Sequence, residues 1–180
     1  MKKTERLIIL GKSGSGKNYL ERKLVERGLK QGIKSTTRPP RKFESDGTSY
    51  HFINESKFND LLKDNNFVVY QSFVVTPENS DSQTWLYGIT KEEFNNGQVF
   101  IMTPGEFEMI SLDDRKKCFV VYLDIDRKVR ERRLFKREDR NDSVLRRMDA
   151  DELDFSRLRD YDLKITDPEF TADEVYDLMF

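Results

Sequence analysis

The stretch that most constrains this chain is Gly11-Lys12-Ser13-Gly14-Ser15-Gly16-Lys17-Asn18, together with what flanks it. Ahead of it, Leu7-Ile8-Ile9-Leu10 reads as a short buried strand; behind it, Leu20 and Leu24 stand one helical turn apart. Strand, glycine-rich turn, then helix is the setting in which G-x-x-x-x-G-K carries a mechanism. The glycines let backbone N–H groups curl around phosphate oxygens, and the helix N-terminus adds partial positive charge. Gly11, Ser13, Gly14, Ser15, Gly16, Lys17 and Asn18 are therefore candidates for holding ATP, with Lys17 reaching the β- and γ-phosphates. Asn18 stands where Ser or Thr normally ligates Mg²⁺, and its amide oxygen is a weaker replacement for that hydroxyl.

The 180 residues are enough for one domain, 1–180, with a substantial core. With 32 basic against 33 acidic residues the net charge is −1, so there is no bulk attraction to nucleic acid or to a membrane. Lys2-Lys3 leads into only four apolar residues, too few for a signal peptide or a span, so a cytoplasmic protein is expected. The single cysteine, Cys118, excludes an internal disulfide and opens the apolar run Cys118–Leu123, where it reads as a buried thiol. The partners expected are small molecules, with no nucleic acid and no membrane; no oligomeric state follows.

Further along, Arg38 and Arg41 lie three apart, stiffened by Pro39-Pro40, and form a candidate clamp for a second phosphate. A solvated basic loop is an equally good reading of the arginines alone. His51, the only histidine, reads as an ordinary side chain without a partner. Asn54 caps a helix with Phe58, Leu61 and Leu62; Phe67–Val75 reads as a strand; the polar stretch Thr76–Thr84 reads as a surface insertion. Thr90 with Glu93 forms a capping box, as does Thr171 with Glu174. Val99–Met102, Cys118–Leu123 and Asp162–Asp167 read as further strands, with a helix expected from Glu106 to Ile110. Strands alternating with helices predict an α/β fold on a parallel sheet covered on both faces. Asp126–Arg147 carries eight arginines, which read as a solvated helix face; Glu138, Asp139 and Asp142 argue against a nucleic-acid stripe.

The glycine-rich loop, followed by Ser35-Thr36-Thr37-Arg38-Pro39-Pro40-Arg41 and then by Asp46-Gly47-Thr48-Ser49-Tyr50-His51-Phe52, resembles the guanylate kinase family. The likeness continues in Phe58, in Leu61–Phe67, in Tyr87-Gly88 and in the segment from Arg133 to Arg147, and so covers nearly the whole chain. It implies a P-loop, three-layer α/β/α fold with a parallel sheet core (1–33, 97–125 and 160–180). A small subdomain for a nucleoside monophosphate (34–96) and an arginine-rich lid (126–159) complete it. The implied activity is transfer of the ATP γ-phosphoryl group to a nucleoside monophosphate, with Mg²⁺. On that resemblance Arg38, Arg41, Tyr50 and Tyr87 hold the acceptor phosphate. Lys17, Arg38, Arg133, Arg137 and Arg147 are the catalytic set, and Thr166 stands near the adenine.

The base side departs from the family. The residues that read guanine there are two serines, a glutamate and an aspartate; here those positions hold Lys34, Ile89, Val69 and Gly105. Thr103 replaces an aspartate that helps to organise Mg²⁺. The expected pocket is apolar and lacks carboxylate acceptors, while Lys34 offers an ammonium to a carbonyl oxygen. GMP or dGMP is the family default, but another (d)NMP, a pyrimidine or modified one, fits these substitutions better. A ribose bisphosphate kinase-like enzyme and an inactive phosphopeptide-binding module are the alternatives. Retention of Gly11, Gly16 and Lys17 counts against the module.

Overall fold

The computed structural model describes residues 4–42, 44–75, 82–136 and 144–179. At its centre lies β1 (Arg6–Gly11), paired in parallel with β6 (Val99–Ile101) on one side and β7 (Cys118–Leu123) on the other. β8 (Leu163–Ile165) adds to β7, again in parallel, giving the order β6-β1-β7-β8. A central parallel strand is covered on both faces, so its side chains are apolar without alternation. Leu7 and Ile9 join one cluster, with Leu20 and Leu24 of α1 (Lys17–Glu26) and Val175 and Met179 of α8 (Ala172–Met179). Ile8 and Leu10 join the other. There they meet Phe94 of α3 (Lys91–Asn96), Phe107 of α4 (Pro104–Glu108) and Phe155 of α7 (Val144–Phe155). Each fully buried side chain of this size contributes roughly 1.5–3 kcal/mol. The result is the expected three-layer arrangement.

A second sheet has the order β3-β2-β5-β4, from β2 (Ser35–Thr36), β3 (His51–Phe52), β4 (Phe67–Val75) and β5 (Gln83–Thr90). β4 and β5 are antiparallel, with a register shift between Phe67 and Val69. Of the polar stretch Thr76–Thr84, residues 76–81 lie outside the described residues, and Gln83 and Thr84 already belong to β5.

The capping signals come out unevenly. The Asn54 side chain accepts from Lys57 N at 2.8 Å and opens α2 (Glu55–Lys63) as expected. Thr171 and Glu174 form both halves of their box, at 3.4 and 3.2 Å. Thr90 accepts from Glu93 N at 3.2 Å, but the Glu93 carboxylate turns away to Ile33 N (3.0 Å) and His51 Nε2 (2.8 Å). His51 therefore has a partner, contrary to its reading as an isolated side chain. The helix expected from Glu106 begins earlier, at Pro104, because Thr103 and Glu106 make a complete capping box with Pro104 in the first turn. α5 (Leu112–Arg115) and α6 (Arg127–Phe135) complete the described helices.

Candidate active site

The loop between β1 and α1 is built as its glycines require. Gly14 and Gly16 have φ of +78° and +108°, in the left-handed region that side chains avoid. A Cβ at Gly14 would also stand 2.8 Å from the carbonyl oxygen of Arg130. Ser13 to Asn18, with Leu134 and Arg147, line a cavity of about 130 Å³. Lys17 Nζ donates to the carbonyls of Gly11 (2.5 Å) and Lys12 (3.2 Å), which holds the ammonium at the loop. Ser15 Oγ is buried beneath the loop and has no hydrogen-bond partner, the one such side-chain atom among the described residues.

A carboxylate borders this loop. Ser13 N–H donates to Asp151 Oδ2 of α7 at 2.7 Å. The next residue, Glu152, pairs with Lys12 and accepts from Arg130 Nη2 at 2.6 Å. Burial alone would push the Glu152 carboxyl up, but the Lys12 and Arg130 hydrogen bonds outweigh it and hold it below the usual carboxylate range. Arg130 is fully buried and braces the segment through Nε to Ile125 O at 2.9 Å. Neither Arg130 nor the acidic pair was singled out from the sequence. Their signal was a helical phase that turns Arg130 inward and Asp151-Glu152 towards the loop.

Arg133 was expected over the transferring phosphate. Instead its guanidinium reaches backbone carbonyls: Gly14 and Ser15 at 3.4 Å and Pro168 at 2.9 Å. Its donors are spent bracing the outside of the loop. Arg147 does line the cradle, whereas Arg137 lies outside the described residues. Thr166 stands exposed just beyond β8.

The second anion site faces a neighbouring cleft of about 560 Å³ that Asn18 also lines. Thr36 of β2 pairs with Tyr87 of β5, which brings Tyr87 beside the arginine loop. Arg38 is buried and its Nη2 donates to both oxygens of Glu44, at 2.8 and 2.9 Å. Arg41 N–H donates to the same carboxylate at 2.8 Å. The Arg38 guanidinium carbon lies 5.2 Å from the Tyr50 ring centre, and Tyr50 meets Tyr87 edge-on at 5.9 Å. Arg38, Arg41, Tyr50 and Tyr87 thus line one cleft, and Glu44, missed from the sequence, supplies the anion between the two arginines. Burial would raise the Glu44 carboxyl, but hydrogen bonds from Arg38 and Arg41 hold it below the usual range. Burial pushes both tyrosine hydroxyls above their ordinary value, and Arg38 opposes it, so at neutral pH they are hydrogen-bond donors. On the α1 wall of the cleft, burial pushes the Glu21 carboxyl up to about 7, against the pull of Lys34 and a hydrogen bond with Gln31.

The base side needs the most correction. Val69 and Ile89 are fully buried in the second core cluster and do not line the cleft. The shift in register between Phe67 and Val69 accompanies this inward turn. Gln71, two residues on, is the strand's polar representative: its Oε1 accepts from the Thr103 hydroxyl at 2.8 Å, and its amide nitrogen lies where a Cβ at Gly105 would be. Gly105 therefore makes room for Gln71. Thr103, Gly105 and Gln71 line an adjoining cleft of about 380 Å³. Lys34 lines the larger cleft, but its Nζ is bound to both oxygens of Glu106, at 2.7 and 2.6 Å. The ammonium expected to be free is thus paired with Glu106, a buried carboxylate one residue past Gly105 that lines neither cleft. Among the described residues no group of three or more His, Cys, Asp or Glu side chains could hold a metal ion.

Comparisons with known proteins agree with this architecture. A family model described as Guanylate kinase matches residues 3–178. The chain is similar to the guanylate kinase of Nostoc sp., at 25% identity over 92% of this chain and 83% of the relative. It is also similar to a guanylate kinase of Thermus thermophilus, at 38% identity over 37% of this chain and 31% of the relative. Among solved structures, guanylate kinase from Anaplasma phagocytophilum matches with a TM-score of 0.68 at 16% identity, covering 99% of this chain and 86% of that one.

Proposed function

The chain belongs to the guanylate kinase family, a family of phosphotransferases acting on nucleoside monophosphates, and from that premise we propose that it passes the γ-phosphoryl group of ATP to a (deoxy)nucleoside monophosphate. One observation carries the reading: two cavities border Asn18, one walled by the glycine-rich loop with Lys17 and Arg147, the other by Arg38, Arg41, Tyr50 and Tyr87. Asp151 stands at the loop and Glu44 at the arginine clamp. Each carboxylate accepts from a donor at the edge of its site, Ser13 N–H and the Arg38 guanidinium respectively.

No general base is required, because a monophosphate oxygen is already a nucleophile. That oxygen forms a bond to the γ-phosphorus as the bond to the ADP oxygen breaks, so catalysis is positioning and charge neutralisation. Lys17 and the loop amides hold the donor, and Arg38, Arg41, Tyr50 and Tyr87 hold the acceptor. Arg147 faces the transferring group, with Arg137 as a second candidate; Arg133 braces the loop through its carbonyls. Mg²⁺ supplies charge neutralisation between the phosphates. The chain's own contribution to it is thin, since Asn18 is exposed at the cradle while Thr103 is engaged by Gln71 and Glu106. Asn18 is the residue that would face such an ion, which would supply charge neutralisation to the phosphates when bound.

The acceptor departs from the guanine pattern, because Val69 and Gly105 bring no carboxylate to the cleft; a pyrimidine nucleotide is favoured. No described helix is long and apolar enough to cross a membrane. The test is ADP formation from ATP and Mg²⁺ with GMP, dGMP, dTMP, dUMP, dCMP and dAMP in turn. Turnover is expected with at least one pyrimidine nucleotide and only weakly with GMP, and Lys17→Ala should abolish it without altering the melting curve. Absence of turnover with every acceptor overturns the kinase reading; a highest kcat/KM for GMP overturns the acceptor assignment.

A further inference from the structure

α1 leaves the glycine-rich loop with Asn18 where the two cavities meet, and Glu21 follows three residues on. Residues three apart share a helix face and lie within one turn, about 5.4 Å. The Glu21 side chain is thus carried into the larger cleft, whose walls also include Gln31, Lys34 and the arginine clamp. Gln31 lies on the stretch that leaves the core for the second sheet, and a bridge to Val99 of β6 fixes its backbone. Its side-chain amide hydrogen-bonds the Glu21 carboxyl and so aims that group. Lys34 attracts the carboxyl as well, but its ammonium is already held at both oxygens of Glu106. A half-buried carboxyl therefore stands on the wall of a cleft of about 560 Å³, and its hydrogen bond within the chain comes from a neutral amide.

Resting on the kinase reading above, we infer that Glu21 binds the sugar hydroxyls of the acceptor nucleotide and that Gln31 is the residue that positions it. The acceptor phosphate is anchored at Arg38 and Arg41 and has to meet the donor beside Asn18. The sugar, one ester bond further on, then lies against the next turn of α1. A carboxylate on that turn repels a second phosphate, and its two oxygens are enough to accept from both members of a vicinal diol. Burial keeps the Glu21 carboxyl up at about 7, so near neutrality it passes between an acceptor and a donor form. A hydroxyl is itself donor and acceptor and satisfies either form, whereas a phosphate oxygen or an amino group satisfies only one. The substrate class that follows is the ribonucleoside 5′-monophosphates, bound ahead of their 2′-deoxy counterparts whatever the base.

The experiment is equilibrium binding by titration calorimetry, so that it reads out whether or not turnover occurs. Wild type, Glu21→Ala, Glu21→Gln and Gln31→Leu are titrated with the pairs UMP and dUMP, CMP and dCMP, GMP and dGMP, and with inorganic phosphate. Within each pair wild type should bind the ribonucleotide roughly tenfold tighter, the order expected for one hydrogen bond to a charged group. Glu21→Ala should bring that ratio close to one, while Glu21→Gln, whose amide oxygen still accepts from a hydroxyl, should keep part of it. Gln31→Leu should shrink it by letting the carboxyl swing. Inorganic phosphate should bind all four proteins alike, because the clamp is untouched. A wild-type ratio near one, or a ratio that survives Glu21→Ala, overturns the assignment. So does a loss in Glu21→Ala that follows the base rather than the sugar, or one that extends to inorganic phosphate. Failure of the kinase reading has a different signature, namely a sugar preference in binding with no ADP formed from ATP.

Discussion

Arg38 and Glu44 show how a buried contact can mark a site. The guanidinium is buried and would be costly unpaired, and Glu44 supplies the partner, both of its oxygens accepting from Nη2. Arg38→Ala should weaken the acceptor by roughly 1.5–3 kcal/mol in KM or kcat, since a charge-assisted bond is lost, while ATP binding stays put. Glu44→Gln should act in the opposite direction on affinity: the acceptor binds more tightly because nothing has to be displaced, yet the ligand-free protein melts earlier. Titration of each variant with the nucleotide, beside a melting curve, separates the two effects. Glu21 gives a pH test. Its carboxyl is raised from 4.5 to about 7, so the folded state holds a proton that the unfolded chain releases. Its contribution to stability therefore falls as pH rises from about 4.5 to 7 and is flat above. Glu21→Gln should match wild type near pH 4.5 and be more stable at pH 8, by about 1–3 kcal/mol for a shift of this kind. Equal differences at both pH values would show that Glu21 is not the titrating group.

Among the elements, α7 turned out to matter in a way that its sequence did not disclose. The octapeptide loop, the strand before it and the arginine clamp were legible because their chemistry lies in consecutive residues with a fixed local geometry. Asp151 meets Ser13 across 138 positions of sequence, and Lys34 meets Glu106 across 72, so spacing carries no trace of either. Val69 and Ile89 were misplaced for a related reason. Residue-by-residue matching assigns a position, but the pleat and the register shift in β4 decide which face it presents. The polar groups beside them are engaged within the fold, Gln71 by Thr103 and Glu106 by Lys34. The contact from α7 to the loop has a direct consequence. A triphosphate at the cradle competes with the Asp151 carboxylate for Ser13 N–H, and like charges so close are unfavourable. Asp151→Asn should tighten ATP by several-fold and raise kcat/KM for the donor without changing the acceptor preference. An unchanged or weaker ATP Kd in that variant would mean that Asp151 remains useful with the nucleotide bound.

At the scale of the molecule, the donor cradle belongs to the parallel sheet and the acceptor clamp to the second sheet, with Asn18 lining both sites. Each ligand stabilises the fold by its own mass-action term, about 2.7 kcal/mol at a hundred times its Kd. For a chain of this size that is a rise in Tm of roughly 5–10 °C per ligand. Two ligands on independent sites would add. Here they are polyanions converging on one residue that offers a neutral amide where P-loop chains normally carry a metal-ligating hydroxyl, and the described residues hold no carboxylate cluster for a metal. Their mutual repulsion is thus left for Mg²⁺ bound on the phosphates to relieve. With chelator present, β,γ-imido-ATP and the acceptor together should raise Tm by clearly less than the sum of their separate effects. Adding Mg²⁺ should restore the sum or exceed it. Asn18→Ser, which restores a hydroxyl, should lower the Mg²⁺ concentration at which this happens. Full additivity in the presence of chelator would show that protein cations alone neutralise the phosphates, and that the metal contributes nothing to bringing donor and acceptor together.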